Sequence, residues 1–214
     1  MMISAGRACL AGRRAPGGVA VASAELPGRM ALASADLSGT GGVQAGLAAL
    51  ALGLPAQTFC LTCTASDRAA TEAWLALGTG LVLAAGPQWA AAVLAGETRV
   101  LAAQSAVAAY PGLELGAADY VEAAYLDLVS AAAAGLDRGD LLALNPPTPR
   151  LGGAAARALG FAGPVAVAPE GAGAAGPLCA LSDALEQAAP GQTVLLVSYG
   201  AGSAADALLV RKEG

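Results

Sequence analysis

Short apolar runs alternate along the chain with longer Ala/Leu-rich stretches. Val19–Glu25, Thr58–Ala65, Leu81–Ala85, Ala90–Ala95, Arg99–Ala108, Asp140–Asn145, Val165–Ala168 and Thr193–Tyr199 read as strands, most of them apolar on both faces. Gly42–Gly53, Ala117–Ala134, Arg150–Leu159 and Pro177–Ala188 read as helices. Glu114, Asp119 and Glu122 sit near the start of the second helix, where acids suit the helix dipole, and Gly135 stops it. Gly160 stops the third. Strands alternating with helices predict α/β layers around a buried sheet.

The stretch Ala73–Gly96 carries no charge and is long enough to span a bilayer. Gly78, Gly80, Gly86, Pro87 and Gln88 interrupt it, so two buried strands around a turn at Gly86-Pro87 explain it better. Arg7, Arg13 and Arg14 lie in a Gly-rich start without the apolar run of a signal peptide. These features predict a soluble cytoplasmic protein with no membrane partner.

The chain also resembles itself. Gly41–Thr64 (GGVQAGLAALALGLPAQTFCLTCT) aligns without gaps on Gly176–Tyr199 (GPLCALSDALEQAAPGQTVLLVSY) at a shift of 135, with eight identities in 24 positions. Both copies hold a Pro-x-Gln-Thr turn, at Pro55 and Pro190. The alignment predicts two homologous helix–turn–strand–loop–strand units, one per half, with Thr58–Ala65 equivalent to Thr193–Tyr199.

Composition narrows the chemistry. The 214 residues are 56% hydrophobic and 13% charged, with a net charge of −5. This excludes a disordered chain and argues against a nucleic-acid surface, which needs a basic patch. There is no histidine, so no Ser-His-Asp or Cys-His machinery and no His-ligated metal can be built from this chain. Cys9, Cys60, Cys63 and Cys179 are too few for a disulfide scaffold. Cys60 and Cys63 have the spacing of a zinc knuckle. On a strand, however, residues three apart point to opposite faces, and no second pair completes four ligands. Buried thiols in a reducing compartment are the reading, with no metal.

Gly191–Ala207 (GQTVLLVSYGAGSAADA) resembles the C-terminal end of thiolase-superfamily enzymes, most closely the hydroxymethylglutaryl-CoA synthase and β-ketoacyl synthase III branch. Leu144–Arg150 (LNPPTPR) with Ala155–Gly160 resembles that family's His-Gln-x-Asn segment and following helix. Glu170–Gly176 (EGAGAAG) takes the place of its Gly-Asn-Thr loop. Ala35–Gln44 (ADLSGTGGVQ) resembles the nucleophile turn Ala-Cys-x-x-Gly-Thr-Ala-Ala-Leu-Gln. The resemblance covers residues 19–211. It implies a layered α/β fold of two pseudo-symmetric halves, with the N-terminal half truncated. It divides the chain into a flexible start (1–18), a shortened first half (19–110) and a second half (111–214).

The resemblance also implies three degenerate positions. Asp36 stands where the family has its nucleophilic Cys, Asn145 where it has His, and Gly171 where it has Asn. Asp36 reads either as a weak carboxylate nucleophile or base, or as an acidic helix cap. Asn145 reads either as a hydrogen-bond donor to a thioester carbonyl or as a strand-end Asn before Pro146-Pro147. Gly171, Gly173 and Gly176 read either as a loop accepting a CoA phosphate or as glycines that turn geometry requires. Tyr110, Tyr120, Tyr125 and Trp89 read as packing or interface aromatics.

The function these readings imply is a catalytically silent thiolase-like subunit paired with an active acyl-CoA-condensing partner, or failing that a homodimer. It would need no cofactor, with an acyl-CoA as possible ligand. The alternatives are a residual acyl-CoA acyltransferase using Asp36 and Asn145, and a binding or structural module that reuses the fold.

Overall fold

The computed structural model describes Ala11, Gly53 and residues 18–23, 59–63, 81–85, 90–94, 98–107, 118–200 and 204–214. The chain divides into two compact units. Residues 1–96 with 171–178 form the first, and residues 97–170 with 179–214 the second. Thr98–Val107 therefore belongs with the second unit.

The first unit holds a four-stranded sheet made of β1 (Gly18–Ser23), β2 (Phe59–Cys63), β3 (Leu81–Ala85) and β4 (Ala90–Leu94). Its order is β2-β1-β3-β4. β1 is parallel to both neighbours, and β3 and β4 form an antiparallel hairpin. Within the uncharged stretch, the described residues are thus two antiparallel strands, as its interrupting glycines predict. Among the described residues no helix is long and apolar enough to cross a membrane. A 3-10 turn, Gly173–Ala175, packs against β1 and β3.

The second unit has five strands: β5 (Thr98–Val107), β6 (Leu141–Asn145), β7 (Val165–Val167), β8 (Thr193–Gly200) and β9 (Ala204–Lys212). Their order is β5-β9-β8-β6-β7, with β6 parallel to β7 and β8, and β9 antiparallel to β8 and β5. Helix α1 (Ala118–Ala133) packs on β5, β8 and β9 and on helix α2 (Gly152–Ala158). Helix α3 (Gly176–Gln187) leads to β8.

Patterning explains this core. Ala124, Tyr125, Leu128, Val129 and Ala132 of α1 are buried, a stripe at helical spacing that meets Leu142, Leu144, Leu195, Val197 and Leu209 of the sheet. β6 lies in mid-sheet and is buried along its whole length, as an unbroken apolar strand must be. β5 is an edge strand, and its residues alternate between half-buried and exposed. Gly135, Gly160 and Gly191 all take left-handed φ where a helix or turn ends.

The two sheets share one topology. The run β2-β1-β3-β4 has the same strand directions as β7-β6-β8-β9. This pairs β2 with β7 and β3 with β8, which corrects the shift of 135. Phe59–Cys63 holds the edge position beside β1, whereas Thr193–Gly200 is the middle strand. The symmetry of the halves is real, but the gapless alignment matched two strands that are not equivalent. The helix expected at Gly42–Gly53 lies outside the described residues, save Gly53.

Two side chains tie the second unit together. The Asp140 carboxylate accepts from the Thr193 backbone N–H at 2.8 Å and from its hydroxyl at 3.0 Å, joining the starts of β6 and β8. These bonds lower the Asp140 pKa below its ordinary 3.8. A lowered folded-state pKa gives stability that is present above the ordinary value and lost as pH falls through the lowered one. Asp140→Ala is expected to be less stable than wild type at pH 7, with the gap closing below about pH 3.8. Urea melts across that range read the effect, and a gap that persists undiminished at pH 2 would refute it. Lys212 donates to the Leu185 and Ala188 carbonyls at 2.8 and 2.9 Å, capping the end of α3.

Tyr125 and Tyr199 meet edge to face, their ring centroids 5.4 Å apart. The Tyr125 hydroxyl is buried without a hydrogen-bond partner, and burial pushes its pKa well above the ordinary value. An unpaired buried hydroxyl costs roughly 1–3 kcal/mol. Tyr125→Phe is therefore expected to stabilise the protein by about 1 kcal/mol. A loss of stability in chemical denaturation would instead mean that the hydroxyl binds a water.

Candidate functional site

Open α/β sheets take ligands at the carboxyl ends of their parallel strands. Asn145 closes β6 at that end, followed by buried Pro146, exposed Pro147, and the 3-10 turn Pro149–Leu151 that leads into α2. The side chain is 7% exposed. Two prolines in succession cannot extend the ladder, so the strand stops at Asn145 and the chain turns into the helix. A carboxamide there can donate and accept hydrogen bonds, but it does not carry a proton between partners near neutral pH.

The glycine loop follows β7. Gly171 and Gly173 both have left-handed φ, +73° and +50°, and Gly176 begins α3 in ordinary helical geometry. Turn geometry therefore demands glycine at the first two positions. Gly171–Leu178 belongs to the first unit and Asn145 to the second.

Asp36 lies outside the described residues, as do Cys9, Tyr110 and Trp89. In chain order Asp36 falls between β1 and β2, the interval corresponding to 146–164 in the second unit. The interval corresponding to the glycine loop is the one that opens at Thr64 after β2. Cys60 and Cys63 both lie in β2, as the strand reading requires. Cys179 is half-buried in α3, and burial together with the Asp183 charge pushes its thiol up to about 11. Tyr125 is core, as expected of a packing aromatic.

Among the described residues, the buried polar or charged side chains are Asn145, Ser198 and Asp206. They stand in one row across the sheet: Asn145 beside Ser198, Ser198 beside Asp206, and Asp206 beside Ser105 on the edge strand. The Ser105 hydroxyl donates to the Asp206 carboxylate at 2.6 Å. All four occupy the face opposite the α1 core, which takes the neighbouring row of Leu144, Val197 and Ala207. Sequence reading missed Ser105, Ser198 and Asp206. Ser198 interrupts the apolar run of β8 and Asp206 that of β9, whereas Ser105 stands beside Gln104 and gives no such signal.

A separate cleft of about 280 Å³ lies between the ends of α1 and α2, at the opposite end of β6. Leu136, Leu159 and Phe161 line it with Arg138, whose guanidinium donates to the Gly160 carbonyl at 2.7 Å.

No protein-family model and no curated protein matches the chain. Solved structures do. OleA of Xanthomonas campestris with cerulenin bound has a TM-score of 0.68 at 13% identity, covering 98% of this chain and 78% of that one. The 3-oxoacyl-(acyl carrier protein) synthase III, FabH, of Pseudomonas aeruginosa PAO1 has a TM-score of 0.66 at 17% identity, covering 100% and 83%. The acyltransferase ChlB3 has a TM-score of 0.63 at 16% identity, covering 99% and 83%. Both sheets and nearly the whole chain are accounted for by these neighbours, and the chain has the thiolase-like fold.

Proposed function

We propose that the chain is a catalytically silent thiolase-like subunit that pairs with an active acyl-CoA-condensing partner and can itself hold an acyl-CoA. The observation that carries this reading is Asn145. It occupies the carboxyl end of the interior strand β6, in a chain that contains no histidine. A site there can hold a thioester by hydrogen bonds but cannot move the protons of a condensation. The structural neighbours include a synthase and an acyltransferase, which supports acyl thioesters as the ligand class. A chain with 13% charged residues has little polar surface, which supports a covering partner or, in its absence, a second copy. Cysteines too few for a disulfide framework fit the reducing cytoplasm.

Affinity capture of the tagged chain from its native host tests the pairing. The expected result is stoichiometric recovery of a thiolase-fold protein with an intact cysteine and histidine. Sedimentation of the purified chain as a stable monomer at micromolar concentration, with no such partner recovered, would overturn it.

A further inference from the structure

The row Ser105–Asp206–Ser198–Asn145 has a direction. A carboxylate only accepts hydrogen bonds, so a neighbouring hydroxyl that bonds to it does so as the donor. Ser105 already does so from the edge strand, at 2.6 Å. Ser198, fully buried, stands on the other side of Asp206, which is itself 1% exposed. A serine has one proton. Given to Asp206, it leaves only lone pairs facing Asn145 on the next strand.

We propose that Asp206 and Ser198 are positioning residues that set the polarity of Asn145, drawing its amide N–H2 toward the sheet and leaving its carbonyl oxygen facing the end of β6. Asn145 then meets a ligand as an acceptor. The matching chemistry is a neutral N–H or O–H donor, such as a secondary amide of a CoA pantetheine arm. The oxyanion of a condensation step is disfavoured there, because it would face an oxygen where stabilisation needs a donor. This deepens the acyl-CoA reading of the site and rests on it for the ligand. It also gives silence a second cause besides the missing proton carrier.

Asn145 is the only asparagine in the chain, so labelling asparagine with nitrogen-15 yields a single side-chain amide signal pair. In the wild-type protein, one of these protons is expected to resonate downfield and exchange slowly. Ser198→Ala and Asp206→Ala should both remove that signature, and Ser198→Thr should keep it. Identical spectra in wild type, Ser198→Ala and Asp206→Ala, each shown to be folded by its thermal melt, would overturn the proposal.

The ligand arm uses acetyl-CoA. Asn145→Asp keeps the acceptor and is expected to stay within about threefold of wild-type affinity. Asn145→Ala should bind roughly tenfold more weakly, the loss of one hydrogen bond. Equal weakening by both variants would show that Asn145 donates, and would overturn the assigned polarity. If the wild-type chain fails to bind acetyl-CoA, the acyl-CoA reading falls, and the amide spectrum still decides the row.

Discussion

Given acetyl-CoA with or without a malonyl thioester, the purified chain is expected to release no CoA above the uncatalysed rate, and Asn145→His is expected to leave it there. Condensation needs a thiolate to take the acyl group and a group to move protons. General acid–base catalysis alone is worth about 10²–10⁴ in rate, and a carboxamide supplies none of it. Cys179 is not expected to serve as the nucleophile. It lies half-buried within α3 with its thiol held near 11, so only about one in ten thousand is ionised at pH 7. A histidine introduced at 145 is not expected to restore turnover alone, because catalytic groups that act as a unit are not restored singly. A thiol-release assay reads the result. Steady turnover that survives Cys179→Ala and disappears in Asp36→Ala would move the chain into the residual-acyltransferase class.

Much of this architecture was legible one element at a time. Leu81–Ala85 and Ala90–Leu94 have the expected bounds almost to the residue, because a Gly-Pro turn between two uncharged runs leaves no helical alternative. Ala118–Ala133 was legible from its acidic start and from Gly135, which takes the left-handed φ of +81° that ends it. Asn145 ends its strand because two prolines follow. What the alignment obscured was equivalence. Every βα unit of such a fold offers an Ala/Leu-rich helix, a turn and an apolar strand, so matching one unit to another rewards composition. Pairing decides instead: β2 sits at an edge beside β1, while β8 lies between β6 and β9. The polar row was hidden for a related reason. Ser105, Ser198 and Asp206 are each unremarkable in their own strand, and only the register of three strand pairs brings them level with Asn145.

Leu144→Ala is expected to cost about 3–4 kcal/mol, a large share of the roughly 5–15 kcal/mol that holds a typical domain. Leu144 is fully buried in the mid-sheet strand β6, on the face that meets α1, and it packs in one cluster with Tyr125, Leu128, Val129 and Val197. Removing its side chain loses the transfer energy of the buried methyl groups. It also leaves a cavity that neighbours can fill only in part, because β7 and β8 hold the backbone of β6 from both sides. Val165→Ala gives the internal contrast. That residue is 38% exposed on the edge strand β7, so its truncation is expected to cost under about 1 kcal/mol. Urea denaturation of the two variants beside wild type provides the measurement. Equal midpoints for Leu144→Ala and Val165→Ala would mean that β6 is not the packing centre of the second unit, and that Asn145 at its end is not held on a rigid support.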